Sequence, residues 1–132
     1  MPGEIALDTN VLVRLLVRDD ETQFKTAQVL LRDHAVYLPD SVILETEWVL
    51  RFAYDFRPPA VCSALRRTLG LKNVAVDDPM KIAKIIDWHE AGLDFADAMH
   101  LAKSEHLQTL KTFDATFAKR SQGLSKCRVS AL

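Results

Sequence analysis

The chain has few cysteines and no long apolar segment. Cys62 and Cys127 are its only cysteines in 132 residues, and neither belongs to a CxxC or Cys/His pattern. A disulfide framework or a zinc site is therefore not expected. No apolar run approaches the roughly 18 residues of a membrane span, and the first residues lack the basic and apolar segments of a signal peptide. We therefore expect a cytoplasmic protein with reduced thiols and no membrane partner.

The chain also lacks an excess of charge of one sign and the common phosphate-binding and catalytic motifs. Its 17 basic and 18 acidic residues give a net charge of −1, so any contact with nucleic acid must come from a local patch. It contains no GxGxxG or GxxxxGK[ST] loop and no HExxH pair, and no Ser/His/Asp order is readable. The candidate functional residues that remain are acidic.

Short apolar runs alternate with longer segments of helical spacing. The strand-like runs are Ile5–Leu7, Val36–Leu38, Val74–Val76, Thr109–Phe113 and Cys127–Val129. The helical segments are Glu21–Asp33, Ser41–Phe56, Pro59–Leu69, Pro79–Ala91 and Phe95–His106. This alternation predicts one α/β domain, residues 1–132, with a mostly parallel sheet and helices on both faces. Sheets of this kind place their functional sites at the C-terminal ends of the strands.

Two of the predicted strands end in an aspartate. The stretch EIALDTNVL places Asp8 after the first apolar run, and LKTFDATF places Asp114 after a later one. Either residue can cap a helix, because a carboxylate accepts hydrogen bonds from the free N–H groups of a helix N-terminus. Two aspartates at one edge of a parallel sheet fit a shared functional site equally well, so both interpretations stay open here.

The segment SVILETEWVLRF contains two glutamates with different neighbours. Glu45 has no basic residue three or four positions away, and at helical spacing it shares its face with apolar residues. These are Val42, Trp48, Val49 and Phe52. Such a carboxylate is costly unless a cation meets it in the folded protein, which predicts a ligand role for Glu45; the alternative is an exposed residue at the helix rim. Glu47 has Arg51 at i+4, which predicts a surface ion pair.

A later segment, GLDFADAMHLAKSEHL, adds two acids. Asp94 stands at an N-cap position, with Asp97 in the first helical turn, where the helix dipole favours negative charge. Two carboxylates three positions apart also repel each other, and a cation would relieve that repulsion. Asp97 acting only as a first-turn acid is the alternative. Acidic residues without histidine or cysteine ligands offer oxygen atoms alone, which suits Mg²⁺ or Mn²⁺ rather than zinc.

These elements resemble the PIN-domain ribonucleases, and most closely the toxin component of VapBC-type toxin–antitoxin modules. The matching stretches are LDTNVLVRLL, ILETEWVL, DFADAMHLA and LKTFDATF, in that order, and the likeness covers roughly residues 5–130. It implies a PIN-like three-layer α/β fold with a mostly parallel sheet of four to five strands. It also implies an endoribonuclease that depends on Mg²⁺ or Mn²⁺ and hydrolyses RNA phosphodiester bonds with a metal-activated water.

The resemblance assigns the metal-binding and catalytic role to an acidic quartet. Its members are Asp8, Glu45, Asp97 and Asp114, and all four positions are filled. Asp94 would be an accessory or capping residue. Thr9 and Thr112 would donate hydrogen bonds that orient the carboxylates.

The resemblance also implies protein partners, namely a second copy of the chain and a small antitoxin that inserts a segment near the site. The apolar content of the helix expected directly after Asp8 gives modest support to the homodimer. Its apolar residues include Val11, Leu12, Leu15, Leu16 and Val17. Basic residues flank the acidic segments and can hold phosphate groups or remain solvated surface charges. These are Arg14, Arg18, Lys119 and Arg120.

Two other functions compete with a nuclease. A phosphatase of the haloacid dehalogenase type also begins with an aspartate after a strand, but it needs a second acid two residues later, where this chain has Asn10. A catalytically inactive PIN-like module that binds RNA or protein is the other alternative. In such a module the acids would serve as helix caps and surface charge, and metal binding would be weak or absent.

Overall fold

Strands and helices alternate along residues 4–132, the part of the chain that the computed structural model describes. The strands are β1 (Ile5–Ala6), β2 (Val36–Tyr37), β3 (Val74–Ala75), β4 (Thr109–Thr112) and β5 (Arg128–Ala131). The helices are α1 (Thr9–Val17), α2 (Glu21–Asp33), α3 (Asp40–Ala53), α4 (Pro58–Leu69), α5 (Pro79–Glu90), α6 (Phe95–Lys103) and α7 (Ala115–Arg120). Every strand and helical segment of the predicted alternation is therefore present, and α1 and α7 are helices beyond those five segments.

Each strand pairs in parallel with its neighbours. In the first sheet β2 lies between β1 and β3, with Val36 opposite both Ile5 and Val74. In the second, β4 pairs with β5, with Thr109 opposite Arg128. Parallel strands need crossover connections, and helices supply them here. The predicted α/β class with parallel strands is confirmed.

The chain divides into two compact units, Met1–Pro79 and Met80–Leu132, and each sheet lies within one of them. Large apolar side chains are fully buried in both. In the first unit these include Leu12, Val36, Leu38, Ile43, Leu50 and Leu65, and in the second Ile82, Ile85, Ile86, Phe95 and Leu101. The single domain over residues 1–132 stays a prediction, and residues 1–3 lie outside the described part. None of the described helices is both long and apolar enough to cross a membrane.

Helix α1 uses only part of its apolar surface in the core. Leu12 is buried, whereas Leu15 and Leu16 are only half-buried. All three line an apolar depression of about 330 Å³ in the first unit. Its other apolar lining comes from the sheet and from α2 and α4, and includes Leu7, Phe24, Leu31, Val36, Leu38 and Val74. The high apolar content of α1 therefore exceeds what its own buried face uses.

Helices α1, α2, α6 and α7 each begin after an aspartate whose carboxylate caps them. The pairs are Asp8 with α1, Asp20 with α2, Asp94 with α6 and Asp114 with α7. A carboxylate at this position accepts hydrogen bonds from N–H groups that have no partner inside the helix. The cap interpretation of the sequence is therefore correct for Asp8, Asp94 and Asp114. A functional role depends on what else surrounds them.

Candidate metal and nuclease site

The first acidic group lies where β1 leads into α1. Asp8 is exposed, and its Oδ1 accepts a hydrogen bond from the Thr9 backbone N–H at 2.8 Å. The side chain of Thr9 is buried, and its hydroxyl donates a short hydrogen bond to Oε1 of Glu45 in α3. Thr9 therefore connects the end of the first strand to Glu45, the contact expected of a residue that orients a carboxylate.

Asp8 and Glu45 share one depression of about 370 Å³, which we call the acidic depression. It is lined by Asp8, Thr9, Asn10, Val13, Arg14, Glu45, Val49, Ala53 and Tyr54. Val49 and Ala53 follow Glu45 at i+4 and i+8, so this side of the depression is a stripe along α3. The structure thus brings together two of the four predicted acids, with Thr9 between them.

Tyr54 is a lining residue that the sequence did not indicate. It follows the last residue of α3 and has a backbone conformation outside the helix, so helical spacing does not place it. Its hydroxyl accepts a hydrogen bond from Arg14 at 3.1 Å and donates one to Asp19 at 2.8 Å. In the sequence, Tyr54 is marked only by its position near the end of the helix that carries Glu45, and that position does not show which way its side chain points.

The second acidic group lies in the second unit. Oδ2 of Asp94 accepts a hydrogen bond from the Asp97 backbone N–H at 3.2 Å. Oδ1 of Asp114 accepts from the N–H groups of Thr116 at 2.9 Å and Phe117 at 3.1 Å. The hydroxyl oxygen of Thr112 accepts from the Asp114 N–H at 2.9 Å. Thr112 therefore holds the backbone of Asp114, whereas the resemblance had implied a hydrogen bond to its carboxylate.

The surroundings of Asp97 raise the pKa of its carboxyl group. Burial raises the pKa of its carboxyl group, the negative charges of Asp94 and Asp114 raise it further, and His100 opposes them. Asp94 and Asp114 are thus close enough to Asp97 to repel its negative charge. Burial and repulsion together make the ionised form of Asp97 less favourable than in a solvated carboxyl group, and a nearby cation would compensate for this.

The carboxylates fit a hard divalent cation by the chemistry of their oxygen atoms. Asp8, Asp94 and Asp114 each use one oxygen for a helix cap, and among residues 4–132 nothing donates to the other. Glu45 likewise keeps Oε2 available. These are the ligand atoms that Mg²⁺ and Mn²⁺ prefer. In the described part of the chain no three His, Cys, Asp or Glu side chains stand in a ready-made metal-binding arrangement.

The surface position predicted for Glu47 was wrong, and Glu45 takes the exposed position that the sequence had left open as its alternative. Glu47 does pair with Arg51, at 2.8 Å, but it is 1% exposed, so the pair does not lie on the surface. Glu45 is exposed, and so are Trp48 and Phe52. The buried face of α3 instead includes Ile43, Thr46, Glu47 and Leu50.

The reason for this error is the composition of the buried face. Two of its positions are polar, and the most apolar stripe of α3 carries the exposed aromatic residues. Counting apolar residues at helical spacing therefore selects the wrong side. Glu45 remains a candidate ligand because it lines the acidic depression with Asp8, and not because it is a buried, unpaired charge.

Comparison with known protein families agrees with this fold. The profile of the PIN domain family matches residues 5–122, and the chain belongs to that family. Among solved structures it is similar to VapC20 of Mycobacterium tuberculosis, a toxin that cleaves the sarcin-ricin loop. The two are 21% identical with a TM-score of 0.45, over 95% of this chain and 99% of that one. No curated protein matches the chain. Because the chain belongs to the PIN family, it is not a phosphatase of the haloacid dehalogenase type.

Proposed function

We propose that this protein is a metal-dependent endoribonuclease and the toxin of a VapBC-type toxin–antitoxin system. The observation that carries the proposal is the acidic depression, which Asp8 and Glu45 both line, with Thr9 hydrogen-bonded to Glu45. Membership of the PIN family supports a nuclease. A helix cap alone requires neither a second carboxylate nor a buried threonine that holds it.

The proposed metal ligands are Asp8, Glu45, Asp97 and Asp114, with Mg²⁺ or Mn²⁺ as the ion. When bound, such an ion lowers the pKa of a coordinated water and stabilises negative charge on a phosphodiester. The chain's own part is to hold the carboxylates in place. Thr9 fixes Glu45, and the helix caps fix Asp8 and Asp114. Asp94 is an accessory residue that caps the helix of Asp97.

The proposal is tested by RNA cleavage with a matched pair of aspartate variants. Purified protein should cut RNA with Mg²⁺ or Mn²⁺, stop with EDTA, and resume when the metal is restored in excess. Asp8→Asn should abolish cleavage, because asparagine caps a helix as well as aspartate but removes a negative charge. Asp20→Asn is the control, since Asp20 also caps a helix but does not line the acidic depression.

The same experiment separates the nuclease from the catalytically inactive binding module. Cutting that continues undiminished in EDTA, or in Asp8→Asn, would remove the proposed mechanism. A wild-type protein that binds RNA or another protein but never cuts RNA would favour the inactive module.

We also propose a small cognate antitoxin as a partner. The apolar depression supports this proposal, because Leu15, Leu16 and Phe24 leave apolar surface that a helix of another protein can cover. A small protein encoded next to this one should co-purify with it and suppress RNA cleavage. Leu16→Lys should weaken that complex while leaving cleavage by the free protein intact. An equally tight complex with this variant would exclude the apolar depression as the contact.

A further inference from the structure

The four basic residues that flank the acidic segments have different surroundings. Arg14 lies in α1 and lines the acidic depression together with Asp8 and Glu45. Arg18, one turn later, forms an ion pair with Glu21 at 2.7 Å and does not line it. In the second unit, Arg120 donates to the carbonyl of Gly92, and Lys119 is exposed. Of the described residues that line the acidic depression, Arg14 is the one cation.

The guanidinium of Arg14 is held by three different parts of the first unit. Its Nε donates to Gln23 of α2 at 2.5 Å, and Nη1 donates to Asp19, between α1 and α2, at 3.0 Å. Nη1 also donates to the hydroxyl of Tyr54 at the end of α3. The hydrogen bond from Tyr54, followed by the charge of Arg14, keeps the pKa of Asp19 below its usual value. Asp19 therefore stays ionised at neutral pH, and the contacts persist.

These contacts leave part of the guanidinium available for a ligand. Within residues 4–132 no acceptor bonds Nη2, and the side chain of Arg14 is 29% exposed. A guanidinium already fixed in direction loses little freedom when it binds. The two N–H groups of Nη2 can donate charge-assisted hydrogen bonds to a phosphate oxygen. The available atoms therefore suit a phosphodiester.

The negative charges in the acidic depression explain why a cation is needed beside the substrate. Asp8 and Glu45 repel the phosphates of RNA, so a substrate that approaches them needs a compensating cation nearby. The competing interpretation is structural, with Arg14, Asp19 and Tyr54 only tying α1, α2 and α3 together. That interpretation predicts a loss of stability on mutation and no change in the affinity for RNA.

We infer that Arg14, positioned by Asp19, Gln23 and Tyr54, binds a phosphate group of single-stranded RNA beside the one that is cleaved. This inference rests on the proposed nuclease function and identifies a substrate-binding residue for it. Arg14 is a binding residue, and Tyr54 is a positioning residue that acts through it.

The test compares Arg14→Gln with Arg18→Gln on a fluorescent single-stranded RNA. Both variants lose one positive charge from the same end of α1. Binding is measured by anisotropy in EDTA at several salt concentrations, and cleavage kinetics are measured in Mg²⁺. Arg14→Gln should weaken binding by about tenfold and raise KM by a similar factor, with kcat changed by less than about twofold. Arg18→Gln should match the wild type in both assays.

The salt dependence tests the phosphate contact itself. Losing one contact to single-stranded RNA should reduce the slope of log K against log salt by about 0.7. Arg14→Lys keeps the charge, so it should preserve the slope while losing affinity. Tyr54→Phe removes only the hydroxyl that holds Arg14, so it should weaken binding less than Arg14→Gln does. Both conservative variants keep the test decisive if Arg14→Gln does not fold.

The outcomes distinguish this inference from the function on which it rests. A wild-type protein that neither binds nor cuts RNA overturns both. A wild-type protein that cuts RNA, with an Arg14→Gln variant of unchanged KM and salt slope, overturns the inference alone. Equal losses in Arg14→Gln and Arg18→Gln also overturn it, because they would reflect general charge and not a contact in the acidic depression.

Discussion

Three aspartates of the candidate site combine a structural contact with an available carboxylate oxygen. Asp8, Asp94 and Asp114 each accept capping hydrogen bonds on one carboxylate oxygen, and within the described residues the other oxygen accepts none. The sequence presented capping and metal binding as alternatives. The geometry makes them compatible, because a carboxylate has two oxygen atoms and a cap uses one of them.

Asp114 allows the two roles to be separated by substitution. Asp114→Asn should keep the cap on α7 and therefore the stability, whereas Asp114→Ala should lose about 1 kcal/mol. Both variants should lose RNA cleavage, because neither supplies the negative charge. Chemical denaturation and cleavage assays on the same samples check this. An active Asp114→Asn would show that the residue is only a cap.

Asp97 should make the stability of the metal-free protein depend on pH. Its pKa is raised in the folded state, so the unfolded chain ionises first and stability falls as pH rises from the usual aspartate range through the folded pKa. Asp97→Asn removes this penalty and should be more stable than the wild type at pH 7 in EDTA. The difference should vanish near pH 3, where both states of the wild type are protonated. Urea denaturation at both pH values measures it, and an equal or lower stability at pH 7 would contradict the account.

At the scale of elements, the sequence predicted where helices and strands lie better than which way they face. The segment Ser41–Phe56 was correctly read as a helix, observed as Asp40–Ala53. Its orientation was wrong because Thr46 and Glu47 lie on the buried side, where Arg51, one turn later in the same helix, pairs with the buried carboxylate of Glu47. Helix α7 was missed because six residues are too few to show a period.

The two glutamates of α3 should therefore respond differently to the loss of charge. Glu47→Gln should destabilise the protein by about 1–3 kcal/mol, because it weakens a buried, charged hydrogen bond to Arg51. Glu45→Gln should change stability by less than about 0.5 kcal/mol, because the residue is exposed and keeps an acceptor for Thr9. Thermal melts with and without Mg²⁺, together with cleavage rates, make the comparison. We expect only Glu45→Gln to lose activity while still fully folded, and the opposite pattern would show that Glu45 is not a ligand.

At the scale of the whole molecule, the order of motifs carried more information than any single residue. Four acidic stretches in a fixed order pointed to the PIN family, to which the chain belongs. Asp8 alone would have remained a helix cap. Tyr54 and the contacts of Arg14 could not be predicted, because they join residues far apart in sequence through side chains whose directions depend on packing.

The quaternary structure remains a prediction of the resemblance. We expect a homodimer, and Leu15, Leu16 and the exposed aromatic pair Trp48 and Phe52 supply apolar surface for contacts with other chains. Light scattering on the purified protein at about 50 µM should give twice the mass of one chain, because interfaces of ordinary affinity are saturated at that concentration. A single-chain mass under these conditions would contradict the prediction.

The central claim is that the carboxylates of this chain hold the divalent cation that RNA cleavage requires, and calorimetric titration with Mn²⁺ tests it most directly. The account predicts saturable binding to the wild type and to Asp20→Asn. It predicts affinities weaker by roughly tenfold or more in Asp8→Asn and Asp97→Asn, since each removes a charged oxygen ligand. Equal Mn²⁺ affinity in all four proteins, or no binding to the wild type, would contradict the account.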